Sequence, residues 1–267
     1  MKYTVLGGYG FVGKHLLRKM RDLGLECWAP KRGDEEIYNK PLGTVFYCIG
    51  MTADYRRYPL ETIESHIEVL KGILKKDNFD KLIYLSSTRV YLNCKSTNED
   101  SPLIVEPRLA DNLYNISKIM GESATLSSTK KCVVVRLSNV IGRDMGETNF
   151  IGSLLSEATK TKKLHFLTGK DSEKDYIWID DLISVLIKLG CESDMPNKIY
   201  NACSGHNISN LDLAGIFSSE GIDVTFEPNV PNIKFTIVNN ERLREDTGYA
   251  VDSCFDRLRE FISDELK

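Results

Sequence analysis

Tyr3-Thr4-Val5-Leu6-Gly7-Gly8-Tyr9-Gly10-Phe11-Val12-Gly13 is the stretch on which the reading of this chain turns. Its first four residues have the pattern of a short buried strand, the glycines form a loop, and Val12, Leu16, Met20 and Leu23 recur at the spacing of a helix's apolar stripe. A strand, a tight glycine turn and a helix N-terminus gather free backbone N–H groups and the positive end of a helix dipole at one point, which suits a pyrophosphate. Gly7 takes the turn, Gly10 admits phosphates without a Cβ in the way, Gly13 lets the helix pack on the strand, and Phe11 and Val12, which open that helix, are expected with Gly7 and Gly10 to bind the cofactor. The spacing is Gly-x-x-Gly-x-x-Gly, one residue longer in its first gap than Gly-x-Gly-x-x-Gly.

The stretch from Gly8 to His15 also matches Gly-x-x-x-x-Gly-Lys-Ser/Thr until its last position, where His15 has no hydroxyl for magnesium. The apolar runs at 45–49, 82–85 and 132–135 do not end in the second carboxylate that a nucleoside triphosphatase needs. Dinucleotide binding is therefore favoured over phosphate hydrolysis and over a plain structural turn.

The 267 residues, 42% of them hydrophobic, suffice for a sizeable core. A net charge of −3 gives no general attraction to nucleic acid or anionic membrane, and neither is expected as a partner. Seven cysteines, an odd number without a Cys-x-x-Cys pair, argue against a disulfide framework and a structural zinc site, and no metal is expected. The opening residues meet glycine before they could form a signal core, and no run reaches membrane-spanning length, so a cytoplasmic location is expected.

Leu25-Glu26-Cys27-Trp28-Ala29 is the second expected strand. Where dinucleotide folds place an acidic residue for the adenosine ribose, this chain has Lys31 and Arg32, cations that suit a 2′-phosphate. NADP is favoured over NAD on this ground, the alternative being a solvated basic turn. Eleven residues separate Arg32 from the next run, Thr44-Val45-Phe46-Tyr47-Cys48-Ile49, so the second half-unit is abbreviated, and Ile49 and Gly50 end that strand where a cofactor could approach. Leu60, Ile63, Ile67, Leu70, Ile73 and Leu74 predict an amphipathic helix behind Pro59. Leu82-Ile83-Tyr84-Leu85 is a strand ending in the polar cluster Ser86-Ser87-Thr88-Arg89, and Cys132-Val133-Val134-Val135 is another. This alternation predicts an α/β fold with a parallel, doubly wound sheet. Farther on, Asp180-Asp181 opens a helix and is read as cap and dipole partner rather than an acid/base pair.

Tyr114 and Lys118 share a helix face. An ammonium beside a phenol favours the phenolate and makes the tyrosine usable as an acid or base near neutral pH. Alone, Tyr-x-x-x-Lys is common surface decoration; its weight here comes from the glycine loop upstream and from Ser87 at a strand end before it, in that order.

The combination resembles the extended branch of the short-chain dehydrogenase/reductase superfamily, the nucleotide-sugar epimerases, dehydratases and reductases. Besides the glycine loop, it rests on Leu85-Ser86-Ser87-Thr88-Arg89-Val90-Tyr91, Tyr114-Asn115-Ile116-Ser117-Lys118, Arg136-Leu137-Ser138-Asn139-Val140-Ile141-Gly142, Lys174-Asp175-Tyr176-Ile177-Trp178-Ile179-Asp180-Asp181 and Ile199-Tyr200-Asn201-Ala202-Cys203-Ser204-Gly205. The resemblance implies a Rossmann-type domain over residues 1–145, with 173–190 returning to it, and a smaller mixed substrate lobe from 146–172 and 191–267. It implies that Tyr114 is the general acid/base, that Lys118 orients the nicotinamide ribose, that Ser87 holds the reacting oxygen, and that Arg89, Asn139 and Lys174 face substrate. It further implies a homodimer formed through the helices near 60–76 and 113–128, and a place in polysaccharide biosynthesis.

The chain also departs from the pattern. Dehydratases of the branch carry Asp-Glu after the strand-end hydroxyl residue, where this chain has Thr88-Arg89, and GDP-fucose synthase-like enzymes carry Cys at Arg89. Neither 4,6-dehydration nor double epimerisation is expected. Lys174 stands where many relatives have a diphosphate-clamping Arg, His66 replaces a frequent Asn, Leu92 follows Tyr91 in place of Gly, and the carboxyl lobe is short. The expected activity is NADP-dependent reduction of a 4-keto nucleotide sugar. NAD-dependent C4 epimerisation is the alternative, and a non-catalytic dinucleotide sensor is a third reading that Ser87, Tyr114 and Lys118 together oppose.

Overall fold

The structure is a computed structural model and describes residues 2–51 and 55–267. Strand β1 (Tyr3–Leu6), helix α1 (Phe11–Asp22), the two-residue strand β2 (Cys27–Trp28) and β3 (Thr44–Tyr47) begin the chain. A single 3-10 turn, Glu35–Tyr38, fills the connection from β2 to β3, as the short spacing predicts. The strand expected at 25–29 is shorter than its sequence pattern. Then come α2 (Pro59–Ile63), a π-turn (Glu64–Glu68), α3 (Val69–Lys76), β4 (Lys81–Ser87), α4 (Asn112–Leu126) and β5 (Lys131–Leu137). The remainder is β6 (Asn139–Ile141), α5 (Phe150–Thr161), β7 (Lys163–Phe166), β8 (Glu173–Trp178), α6 (Ile179–Cys191), β9 (Ile199–Ala202), β10 (Asn207–Ser209), α7 (Asn210–Ser219), β11 (Asp223–Phe226), α8 (Glu241–Thr247) and α9 (Phe255–Leu266).

The main sheet is parallel, with strand order β2-β1-β3-β4-β5-β9. Its side chains alternate between two cores. Val5, Phe46, Ile83, Val133 and Val135 meet Leu16 and Met20 of α1 and the apolar face of α6, whereas Leu6, Val45, Tyr47, Leu82, Tyr84 and Val134 meet Leu70 and Ile73 of α3. This is the doubly wound arrangement the alternation predicts. The strand Ile199–Ala202, expected in the smaller lobe, instead pairs with β5 and closes the main sheet. Two small sheets, β10-β8-β6 and the parallel pair β11-β7, make up the rest.

The helix behind Pro59 corrects its expected face. Leu60 is 70% exposed, and the residues turned inward are Thr62, His66, Leu70 and Ile73. The π-turn inserts an extra residue per turn and rotates the apolar stripe, so that a histidine reaches the interior. Asp180 and Asp181 stand in the first turn of α6, where the dipole favours carboxylates, but Trp178 holds the cap position; Asp181 pairs with Arg257 at 3.1 Å. Among the described residues no helix is long and apolar enough to cross a membrane.

A buried ion pair locks α4 onto the sheet. Glu122 accepts from Arg136 Nε at 3.0 Å and Nη2 at 2.7 Å and from Ser86 Oγ at 2.5 Å. Arg136 Nη1 donates to the Tyr91 hydroxyl at 2.6 Å, which donates to Asn201 at 2.9 Å. Helix, β4, β5 and β9 are thereby tied through one desolvated network. Removing one partner leaves a buried charge uncompensated, so Arg136→Met is expected to cost about 3–5 kcal/mol in urea unfolding, while the double variant Glu122→Met/Arg136→Met recovers part of it. Equal losses in the two variants would contradict this account.

Candidate active site

Between β1 and β3 the strand order reverses, since the chain runs outward to β2 and then returns across β1. Ligands of open parallel sheets lie beyond the strands' carboxyl ends at such a point. Every expected cofactor residue is delivered to this end of the sheet.

Gly7 turns the chain with φ +81°, and a Cβ there would lie 2.8 Å from the Cys48 carbonyl carbon. The Gly10 N–H donates to the Gly7 oxygen at 3.0 Å, and a Cβ on Gly13 would come within 2.3 Å of that oxygen. The fold itself thus demands glycine at 7 and 13. At Gly10, which is exposed, a Cβ would meet nothing nearer than the Gly7 oxygen at 3.4 Å. Gly10 is also the N-cap of α1 with no side-chain cap, so no cap side chain accepts from the first N–H groups of the helix. A bare, uncapped helix start beside an exposed glycine fits a diphosphate. Lys31 and Arg32 lie exposed just past β2, and their side chains make no hydrogen bond or ion pair among the described residues.

Ile49 and Gly50 follow β3. A Cβ on the exposed Gly50 would sit 3.4 Å from Lys118 Nζ and 3.5 Å from His66 Nε2. Lys118 donates to the Leu85 carbonyl at 2.9 Å, and burial pushes its ammonium down to about 7 against the opposing charge of Glu122. His66 is fully buried and packs its ring edge-on against Tyr114 at 5.3 Å. Burial, aided by the Lys118 charge, brings it down to about 2, so the ring is neutral. The Met51 N–H points at Nε2 from 3.4 Å, which leaves Nδ1–H to donate to Ser117 Oγ at 2.8 Å, and that hydroxyl donates to the Tyr114 carbonyl at 2.8 Å.

Tyr114 is only 4% exposed, and its hydroxyl lies beside Ser87. Burial raises the phenol's pKa, opposed by the Ser87 hydroxyl and the Arg89 charge. Ser87 Oγ also accepts from the Arg89 N–H at 3.2 Å. The Arg89 charge thus eases ionisation of the phenol, an influence to which the helix spacing of Tyr114 and Lys118 does not point. Tyr55, without a signal in the sequence, stacks obliquely on Tyr114 at 5.3 Å and accepts from Arg89 Nη2 at 3.1 Å. Glu122 also went unpredicted, although it continues the four-residue spacing of Tyr114 and Lys118 along one face of α4. Asn139 donates to the Asp175 carbonyl at 2.8 Å, and Asp175 is fastened by the N–H groups of Ser204 and His206, each at 3.0 Å. Lys174 lies over the Phe150 ring at 4.0 Å; burial lowers its pKa, and so does the Arg89 charge.

The family model for the NAD dependent epimerase/dehydratase family matches residues 3–203. The chain belongs to that family. It is accordingly an oxidoreductase-type enzyme that works with a nicotinamide dinucleotide. No curated protein matches it in sequence. Among solved structures it is similar to TunA, an NAD-dependent NDP-hexosamine 5,6-dehydratase of tunicamycin biosynthesis, with TM-score 0.83 and 19% identity over 99% of this chain and 97% of that one. It is similar to RMD from Pseudomonas aeruginosa complexed with NADPH, with TM-score 0.81 and 19% identity over 99% and 98%. A third such structure is UDP-glucuronic acid 4-epimerase from Bacillus cereus in complex with UDP-glucuronic acid and NAD, with TM-score 0.82 and 16% identity over 100% and 99%. At these identities the likeness establishes the shared fold of this epimerase/dehydratase-family member.

The lowered pKa of Lys118 has a consequence for stability. The folded protein binds fewer protons at this side chain than the unfolded chain between about pH 7 and the ordinary 10.5, so the penalty is complete below pH 7 and fades as pH rises through that window. Lys118→Met should therefore be more stable than the parent at pH 6.5, by on the order of 2–4 kcal/mol, with the gap closing by pH 10. Urea unfolding at the two pH values reads this directly, and a gap that does not narrow refutes it.

Proposed function

We propose that this enzyme reduces a 4-keto nucleotide-activated sugar with NADPH. The observation that carries the choice of reaction is the exposed Lys31-Arg32 pair past β2, where an acidic residue would serve an unphosphorylated ribose. Two unpaired cations suit a 2′-phosphate, and a dissociating NADPH suits net reduction. The bound dinucleotide would supply the hydride, held by the Gly7–Gly13 loop, the first turn of α1 and the Ile49-Gly50 edge.

The chain's own residues manage the proton. Tyr114, beside Ser87 at the sheet's carboxyl end, donates its hydroxyl proton to the carbonyl oxygen as that oxygen becomes a hydroxyl. Ser87 donates a hydrogen bond to the same oxygen, and the Arg89 charge steadies the phenolate left behind. Lys118, pinned to Leu85 beside Gly50, holds the nicotinamide ribose, and the neutral His66 keeps the Tyr114 ring and its backbone in register. Asn139 and Lys174 face the sugar and the diphosphate, and residues 146–172 and 191–267, apart from β9, form the lobe that receives the nucleotide. The family's epimerase members support a second reading, C4 epimerisation with NAD retained, which would use the same three groups.

The outer face of α4 supports a homodimer. A cavity of about 430 Å³ there is lined by Val105, Ile116, Ile119, Met120 and Ala124 among others, and Met120 is 44% exposed. Leu60 adds an exposed apolar side chain on α2.

Purified protein is expected to lose cofactor on desalting and to oxidise NADPH only when a keto-sugar nucleotide is added. Tyr114→Phe should lower kcat by about 10²–10⁴ with NADPH binding kept, and Arg32→Glu should weaken NADPH roughly tenfold or more while sparing NADH. Co-purified NAD with turnover of a non-keto sugar would establish the epimerase instead. In light scattering at micromolar concentration the parent should be a dimer and Met120→Arg a monomer; a monomeric parent overturns the dimer.

A further inference from the structure

We propose that Arg89 is the specificity-determining residue of this site and that the sugar it selects carries a carboxylate, which makes the substrate a nucleotide-activated uronic acid or its keto form. The inference rests on the nucleotide-sugar reading above and narrows it.

The position of the guanidinium is the first argument. Its own backbone N–H donates to Ser87 Oγ at 3.2 Å, and its Nη2 donates to Tyr55, whose ring packs on that of Tyr114. Arg89 therefore stands at the end of the site where the sugar's reacting carbon must lie. The C6 substituent of a hexose hangs from the carbon next to C4, within reach of a cation placed there, whereas the diphosphate hangs from C1 across the ring.

The second argument is the state of the guanidinium. Its Nε is a buried donor with no hydrogen-bond partner among the described residues. The carboxylate facing it, Asp111, is already held by both prongs of Arg56, at 2.5 and 2.7 Å, and approaches Arg89 only to 3.9 Å. Among the described residues Arg56 and Arg89 thus share one carboxylate, which leaves a positive charge in excess, and half-buried Lys174 adds another that has no ion-pair partner there. A desolvated donor and surplus cations are costly until an anion meets them. A planar carboxylate matches the planar fork of a guanidinium through two parallel hydrogen bonds. A neutral hydroxymethyl group at C6 would leave the excess charge unanswered.

The test starts by titrating CDP, dTDP, GDP and UDP into the NADP-saturated protein by calorimetry. With the base that binds, the glucuronate and glucose forms of that nucleotide are then compared in the parent, Arg89→Gln and Arg89→Lys. The parent is expected to bind the glucuronate form at least tenfold more tightly. That preference should fall to within twofold in Arg89→Gln and return in part in Arg89→Lys, with the bare nucleoside diphosphate bound equally by all three proteins. Equal affinity of the parent for the two sugars overturns the proposal without recourse to any variant. Equal weakening of the bare diphosphate by Arg89→Gln overturns it too, because the cation would then serve the phosphates. If none of the four diphosphates binds, the nucleotide-sugar reading itself falls, and this inference with it.

Discussion

The buried pairing of Glu122 with Arg136 is the constraint on which the site depends. It joins the helix that carries Tyr114 and Lys118 to the strand that ends in Ser87, and through Tyr91 and Asn201 to the last strand of the main sheet. Two charges this far from water hold only when their lone pairs and protons are matched in full, so the geometry admits little slippage. The same carboxylate opposes the desolvation of Lys118, so one side chain both sets the helix in place and helps tune the ammonium one turn away.

The cations of the site differ in what surrounds them, and chemistry divides between them accordingly. Lys118 is enclosed, and burial depresses its proton affinity, while a hydrogen bond to the Leu85 carbonyl fixes its position. Arg89 keeps an unanswered donor and a shared counter-ion, and its field reaches both the phenol and Lys174. His66 is uncharged and serves as a spacer between the loop after β3 and the backbone of Tyr114. The π-turn makes this possible by turning a polar residue into the space where the regular stripe would have placed an isoleucine.

Much of this was legible beforehand because it is local. Gly7 and Gly13 announce a turn and a close helix approach whose cause lies within a dozen residues, and the structure finds both positions closed to any Cβ. The four-residue spacing of Tyr114 and Lys118 follows from helical geometry. Asn139 and Lys174 could be named from their motifs, but the hydrogen bond that orients Asn139 joins strands far apart in sequence. Tyr55 left no trace at all, since nothing adjacent to it in the chain predicts that a loop tyrosine will lie on the ring of another nearly sixty residues later.

Apolar periodicity and the glycine spacing by themselves determined a parallel α/β sheet with a tight glycine turn between its first strand and first helix, because both are properties of neighbouring residues. Tertiary structure alone decided that the Arg89 charge falls on the Tyr114 phenol, which face of the 59–76 helical segment turns inward, and that Ile199–Ala202 closes the main sheet. Those outcomes depend on desolvation and on charges brought together from distant segments, and burial is a quantity that a linear pattern does not contain.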